Sequence, residues 1–250
     1  MIVHVISLFP EQIETFLGVG IMGRAVEKGL LEVRTYFLRD FSYDRHRTVD
    51  DTPYGGGEGM ILKPEPLGRA IEYVRENLET KTTDAPVVMT SPHGRPLTAA
   101  VAREYGGKPE WIVVCGQYGG MDARVAERYA ADEVSIGDYV LNGGELPALV
   151  TIEAAARFIP GVLGNEDSAD SDTFEDGLLG VPRYTRPPEF HGIPAPEVLL
   201  SGHHARIEEW KRRRKLELTF RRRPDLLSKI ELTDEDKVFL KDLEKDGSKD

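Results

Sequence analysis

Three groups of residues in this 250-residue chain have the types and spacing to do chemistry. The first is a set of glycine-containing turns, each directly after an apolar run. They are Ser91-Pro92-His93-Gly94, Gly116-Gln117-Tyr118-Gly119-Gly120, and Ile136-Gly137-Asp138-Tyr139-Val140-Leu141-Asn142-Gly143-Gly144. Glycines at the carboxyl ends of parallel strands give a ligand room and turn backbone groups toward it. Three such turns together predict a small-molecule cavity, although none has GxGxxG dinucleotide spacing. The second group is Arg157, at the end of an apolar helical pattern, with Asp170 and Asp172 in the small, acidic stretch that follows. Together they can supply a cation and a general base beside the cavity. The third is residues 203–224, where nine cations face three acids, a local balance of +6 with Trp210 and Phe220 interleaved. Its two runs of three arginines predict a phosphate-binding surface. His203 and His204 open this stretch. Adjacent histidines on a helix do not share a face, and no third ligand follows. They are read as a helix start that touches RNA, and no metal site is expected. A fourth feature, the glycine-rich segment 50–59, reads on its own as a flexible connector.

These residues need elements to position them. Nearly continuous apolar, β-branched runs predict strands over 2–9, 31–38, 86–91, 111–116 and 133–136. Helical spacing predicts helices over 11–17, 22–28, 65–78, 98–104, 123–130 and 145–158, the last with a stripe of Leu146, Leu149, Val150, Ile152, Ala156 and Ile159. Alternating strands and helices imply an α/β domain with a mainly parallel sheet over residues 1–160. A linker follows at 161–175, then a smaller helical domain at 176–250 with helices over 203–220 and 234–245. The formal net charge of −11 argues against a phosphate-backbone binder until it is divided: +6 in one stretch leaves −17 elsewhere. Cys115 is the sole cysteine, so no internal disulfide and no Cys-rich zinc site is available. The amino terminus lacks a basic leader and no run approaches membrane-spanning length. A cytoplasmic protein with no membrane partner is therefore expected.

Several long stretches resemble one family, the bacterial tRNA (guanine-N1)-methyltransferases acting at guanine 37, of the SPOUT class. They are PYGGGEGMILKPEPL (53–67), SPHGRPL (91–97), IVVCGQYGGMDARV (112–125), EVSIGDYVLNGGELPALV (133–150), ARFIPGVLG (156–164), DTFEDGLLGVPRYTRPPEF (172–190) and PAPEVLLSGHHARIEEWKRRR (194–214). The resemblance implies an α/β domain with a deep trefoil knot, a small helical C-terminal domain and a homodimer. It implies S-adenosylmethionine held on Pro92, Gly116, Tyr118, Ile136, Gly137, Asp138, Tyr139, Val140, Leu141, Gly143 and Gly144, largely by backbone groups. Asp172 matches the family's general base and Arg157 the arginine near guanine O6. The substrate would be tRNA with guanine at position 37, held in part by His203, His204, Arg206, Arg212, Arg213 and Arg214. The family's chemistry is also associated with magnesium.

The chain departs from the family pattern in two places. Where CGRYEG is usual, Gln117 and Gly119 replace arginine and glutamate, the glutamate being associated with recognition of the target guanine. Where EDSF is usual, the chain reads Ser171-Asp172-Thr173-Phe174. Two other readings account for part of the pattern. A nucleotide-cofactor α/β enzyme acting on a small metabolite explains the glycine turns. A non-catalytic RNA-binding protein explains the basic helix.

Overall fold

A computed structural model describes residues 1–80, 85–129, 131–164, 173–174 and 176–247, with residues 246–247 by backbone alone. The chain divides into two compact units, Met1–Glu166 and Asp167–Asp250. In the first, the strands in chain order are β1 (Ile2–Ser7), β2 (Glu32–Phe37), the short antiparallel pair β3 (Asp50–Asp51) and β4 (Ile61–Leu62), β5 (Val87–Pro96), β6 (Glu110–Val114) and β7 (Asp132–Ser135). Five of them form one sheet in the order β2-β1-β6-β5-β7, with every neighbouring pair parallel. The helices are α1 (Pro10–Leu17), α2 (Gly20–Glu27), α3 (Pro64–Glu76), α4 (Ala99–Gly106), α5 (Ala123–Tyr129) and α6 (Glu145–Ala156).

The sheet is apolar on both faces because its strands alternate sides with a period of two. Val3, Val5, Trp111 and Val113 share one core with Ile13 and Leu17 of α1, Met22 of α2, Tyr105 of α4 and Ile152 of α6. Ile6, Ile112 and Val114 face the opposite core with Leu67, Ile71 and Val74 of α3 and Val125 of α5. The result is a three-layer α/β unit with cavity-forming loops at the carboxyl ends of β5, β6 and β7.

Two sequence expectations change here. The Ser91–Gly94 turn is not a turn, because it lies inside β5. Thr90 and Arg95 both pair with Val134, so residues 91–94 bulge out of the ladder. Gly94 lies flat on β7 at this point: a Cβ there would come within 2.5 Å of the Glu133 carbonyl oxygen. The apolar stripe of α6 is also not wholly core. Leu149, Ile152 and Ala156 are buried, but Leu146 and Val150 are exposed.

In the second unit a short hairpin, β8 (Glu189–Phe190) with β9 (Ile193–Pro194), occupies the proline-rich stretch in which no periodicity is visible. It is followed by α7 (Glu197–Leu200), α8 (His204–Arg222), α9 (Pro224–Leu227) and α10 (Asp234–Gly247). Leu178, Leu216 and Leu240 centre a small core with Phe220, Leu227 and Ile230. Thr233 and Asp236 start α10 with a reciprocal cap. The Asp236 N–H donates to Thr233 Oγ1 at 3.1 Å, and the Thr233 N–H donates to Asp236 Oδ2 at 3.1 Å. No helix of the described residues is long and apolar enough to cross a membrane.

Candidate ligand cavity and basic helix

A cavity of about 460 Å³ opens at the carboxyl ends of β5, β6 and β7, within the range of small-molecule sites. Ten of the eleven residues expected to hold the cofactor line it: Pro92, Gly116, Tyr118, Ile136, Gly137, Tyr139, Val140, Leu141, Gly143 and Gly144. Asp138 is the exception and is exposed to solvent.

The walls are held by short bonds between loops. The Gly144 N–H donates to the Gly116 carbonyl at 2.7 Å, and the Gly116 N–H donates to Thr90 Oγ1 at 3.1 Å. Gln117 and Gly143 form an antiparallel bridge. The glycines serve this packing of loop on loop more than they make room for a ligand. A Cβ at Gly144 would lie 2.5 Å from the Gly116 nitrogen and 2.9 Å from Cys115 Cα. Tyr118 adopts a left-handed φ of 58°, a conformation that non-glycine residues seldom hold outside turns and functional sites. Ile136, Val140, Leu141 and Pro147 add apolar surface to these backbone groups.

The glycine-rich segment 50–59 is more than a connector. It leads into β4, where the Leu62 N–H donates to the Gly120 carbonyl at 3.0 Å and the Gly119 N–H donates to the Met60 carbonyl at 2.8 Å. A Cβ at position 119 would lie 3.0 Å from that Met60 oxygen, so the chain just after the segment packs tightly against this glycine.

Behind the wall, Glu145 opens α6 and accepts hydrogen bonds from Ser7 Oγ and Gln117 Nε2, both at 2.7 Å. Sequence reasoning missed this residue. Its only signal was its place directly after the last glycine turn. Burial pushes the adjacent Cys115 thiol well above its ordinary value, and the charge of Glu145 adds to the effect. That thiol is inert in the core.

Arg157 does not line the cavity of its own chain. Arg157 is the exposed C-cap of α6, and Gly144 is the N-cap at the other end. Twelve residues of helix, about 18 Å, separate them. Asp170 and Asp172 lie outside the described residues. Among the described residues no three His, Cys, Asp or Glu side chains converge as metal ligands.

On α8 the expected RNA contacts divide. His203 is the N-cap, and His204 and Arg206 are exposed in the first turn. Arg213 is exposed beside Glu209, and Arg214 pairs with Glu217. Arg212 instead grips Asp236 with two nitrogens, Nη2 to Oδ2 at 2.7 Å and Nε to Oδ1 at 3.2 Å. This pairing raises the arginine and lowers the carboxyl. Lys211, Lys215, Arg221 and Arg223 are also ion-paired. Arg206 and Arg222 are exposed cations with no ion pair to the described residues.

Fold and cavity together define an α/β protein with a small-ligand site at the carboxyl ends of parallel strands, followed in sequence by a basic helix. A family model described as tRNA (Guanine-1)-methyltransferase TrmD matches residues 1–229, and the chain belongs to that family. Among curated proteins named tRNA (guanine-N(1)-)-methyltransferase, the chain is 50% identical to one from Dehalococcoides mccartyi over 243 residues, covering 97% of each. It is 51% identical to one from Geobacter metallireducens over 245 residues, covering 98% of each. It is 48% identical to one from Serratia proteamaculans, covering 98% of this chain and 95% of that one.

Proposed function

We propose that this protein transfers a methyl group from S-adenosylmethionine to N1 of guanine 37 in tRNA, and that it acts in the cytoplasm as a homodimer. The observation that carries the reading is the family match across residues 1–229, laid over a cavity walled by the residues that the resemblance assigns to the cofactor. The cavity suits such a molecule: backbone polar groups meet its polar edges, and Ile136, Val140, Leu141 and Pro147 meet its apolar parts. When bound, S-adenosylmethionine supplies an electrophilic methyl group on a sulfonium.

Guanine N1 carries a proton and is a poor nucleophile. In this reading Asp172 accepts that proton, and Arg157 stabilises the charge that spreads toward O6. N1 lies on the Watson–Crick edge, so the base must leave its stack to reach the site. Arg206, Arg213, Arg214 and Arg222, with His203 and His204, provide a cationic track for the phosphate backbone.

The homodimer is part of this reading. One α6 length separates Arg157 from its own cavity, farther than an arginine side chain extends, so in this reading the arginine that serves each cavity comes from the partner subunit. The SPOUT knot is supported by the path of the chain. β7 lies outside β5, yet α6 returns to pack on β1. Residues 136–144 must therefore cross the ends of β5 and β6.

The test is transfer of labelled methyl from S-adenosylmethionine to tRNA transcripts with guanine or adenine at position 37. Label is expected only on the guanine transcript. Asp172→Asn should lose about 10²–10⁴-fold in rate while still binding S-adenosylmethionine by calorimetry. Equal labelling of both transcripts, or an undiminished rate in the variant, refutes the reading.

A further inference from the structure

Behind the cavity wall lies a carboxylate that has no ion pair among the described residues. Glu145 is 2% exposed, and both of its oxygens accept hydrogen bonds, as a carboxylate does. Its two donors, Ser7 Oγ–H and the Gln117 side-chain amide, are neutral. The amino end of α6 steadies the charge but brings no cation. The wall between this charge and the cavity is thin. Gln117 and Gly143 line the cavity, and a Cβ at position 143 would lie 2.5 Å from Glu145 Oε2 and 2.9 Å from Gln117 Cδ. The backbone at 143 thus rests directly on the amide–carboxylate pair, and no side chain intervenes.

We propose that Glu145, acting through Gln117 and Gly143 as a positioning residue, biases the cavity toward a ligand carrying a positive charge, the sulfonium of S-adenosylmethionine, over the neutral thioether left after methyl transfer. The inference rests on the cofactor reading above. The two molecules share every group except one methyl and one charge. A loose or distorted wall weakens both equally, whereas loss of the buried charge weakens only the cation. An unneutralised charge acting through a thin protein wall favours the cation by about tenfold or more.

The experiment is calorimetric titration of S-adenosylmethionine and S-adenosylhomocysteine into the wild-type protein and two variants. Gln117→Arg places a cation on the carboxylate, and Glu145→Gln removes its charge. In each variant the preference for the sulfonium should fall about tenfold. A preference unmoved in a folded variant, including one that binds both ligands equally more weakly, overturns the inference and leaves the cofactor reading standing. Wild-type protein that binds neither ligand overturns both. If Glu145→Gln fails to fold by circular dichroism, Gln117→Arg decides, because it keeps the carboxylate in place.

Discussion

Two buried charges show how single residues act in this fold. Glu145 ties the cavity loops together. Glu110 ties the sheet to a loop beside it. His4 Nε2 lies 2.8 Å from Glu110 Oε1, with both side chains fully buried, and His4 Nδ1 lies 2.9 Å from the Tyr36 hydroxyl. Glu110 also accepts from the Glu79 and Thr80 N–H groups and the Thr80 hydroxyl. Burial opposes its ionisation, but bonds from His4, Thr80 and Glu79 outweigh burial and hold its carboxyl at about 2. A depressed carboxyl stabilises the fold fully above its unfolded value near 4.5, and that contribution is lost as the pH falls toward about 2. Glu110→Gln should cost about 2–4 kcal/mol at pH 7. In urea unfolding the gap between variant and wild type should close as the pH drops from about 4.5 toward 2. A gap independent of pH would assign the loss to packing instead. None of this was legible in the sequence. His4 sits inside one apolar strand pattern and Glu110 directly before another, 106 positions away, and local periodicity carries no information about such a partner. The glycine turns after β6 and β7 were legible because the backbone requirement is local, though the packing reason for Gly143 and Gly144 needed the neighbouring loop.

At the scale of elements, periodicity located the five sheet strands and the major helices because each buries a regular face. It failed for the β3–β4 and β8–β9 pairs, which are two residues per strand and too short to show a period. It also ran β5 out into a turn, since a bulge looks like a loop when read one residue at a time. The basic helix was legible in composition but not in partnership. Counting charges makes α8 one uniform cationic surface, whereas the structure commits Arg212 to the capping carboxylate of α10. The two roles separate experimentally. Arg212→Ala leaves the charge of Asp236, 5% exposed, without its partner and should lower stability by about 2–4 kcal/mol. Arg206→Ala and Arg222→Ala should each change stability by less than about 0.5 kcal/mol. Together those two should weaken tRNA binding and reduce its log–log salt slope by about 2. Thermal melts and salt-titrated filter binding check both halves. An unchanged salt slope would move the RNA track away from α8.

For the whole molecule, the proposed catalytic site draws on two chains. On α6, Leu146 is 57% and Val150 is 44% exposed. These two lie four residues apart on one face, and Glu153 and Arg157 continue that face to the helix end. Phe16, Val19 and Ile21 of the neighbouring α1–α2 segment are exposed as well. A helix with an apolar face that its own core does not cover offers a surface for association. A second copy laid on this face would bury the apolar pair and carry Arg157 away from its own cavity toward the other. Val150→Glu should therefore convert a dimer to a monomer in sedimentation velocity and reduce methyl transfer by at least about 10²-fold, with secondary structure unchanged by circular dichroism. Complementation gives the sharper check. Leu141→Arg fills the cavity from its rim, Arg157→Ala removes the proposed charge stabiliser, and each alone should be inactive. When the two variants are mixed and allowed to exchange subunits, heterodimers pair one intact cavity with one intact Arg157. About one site in four should then regain activity, as random pairing requires. A mixture that stays inactive despite subunit exchange would mean that Arg157 serves the cavity of its own chain, and the dimeric site would have to be abandoned.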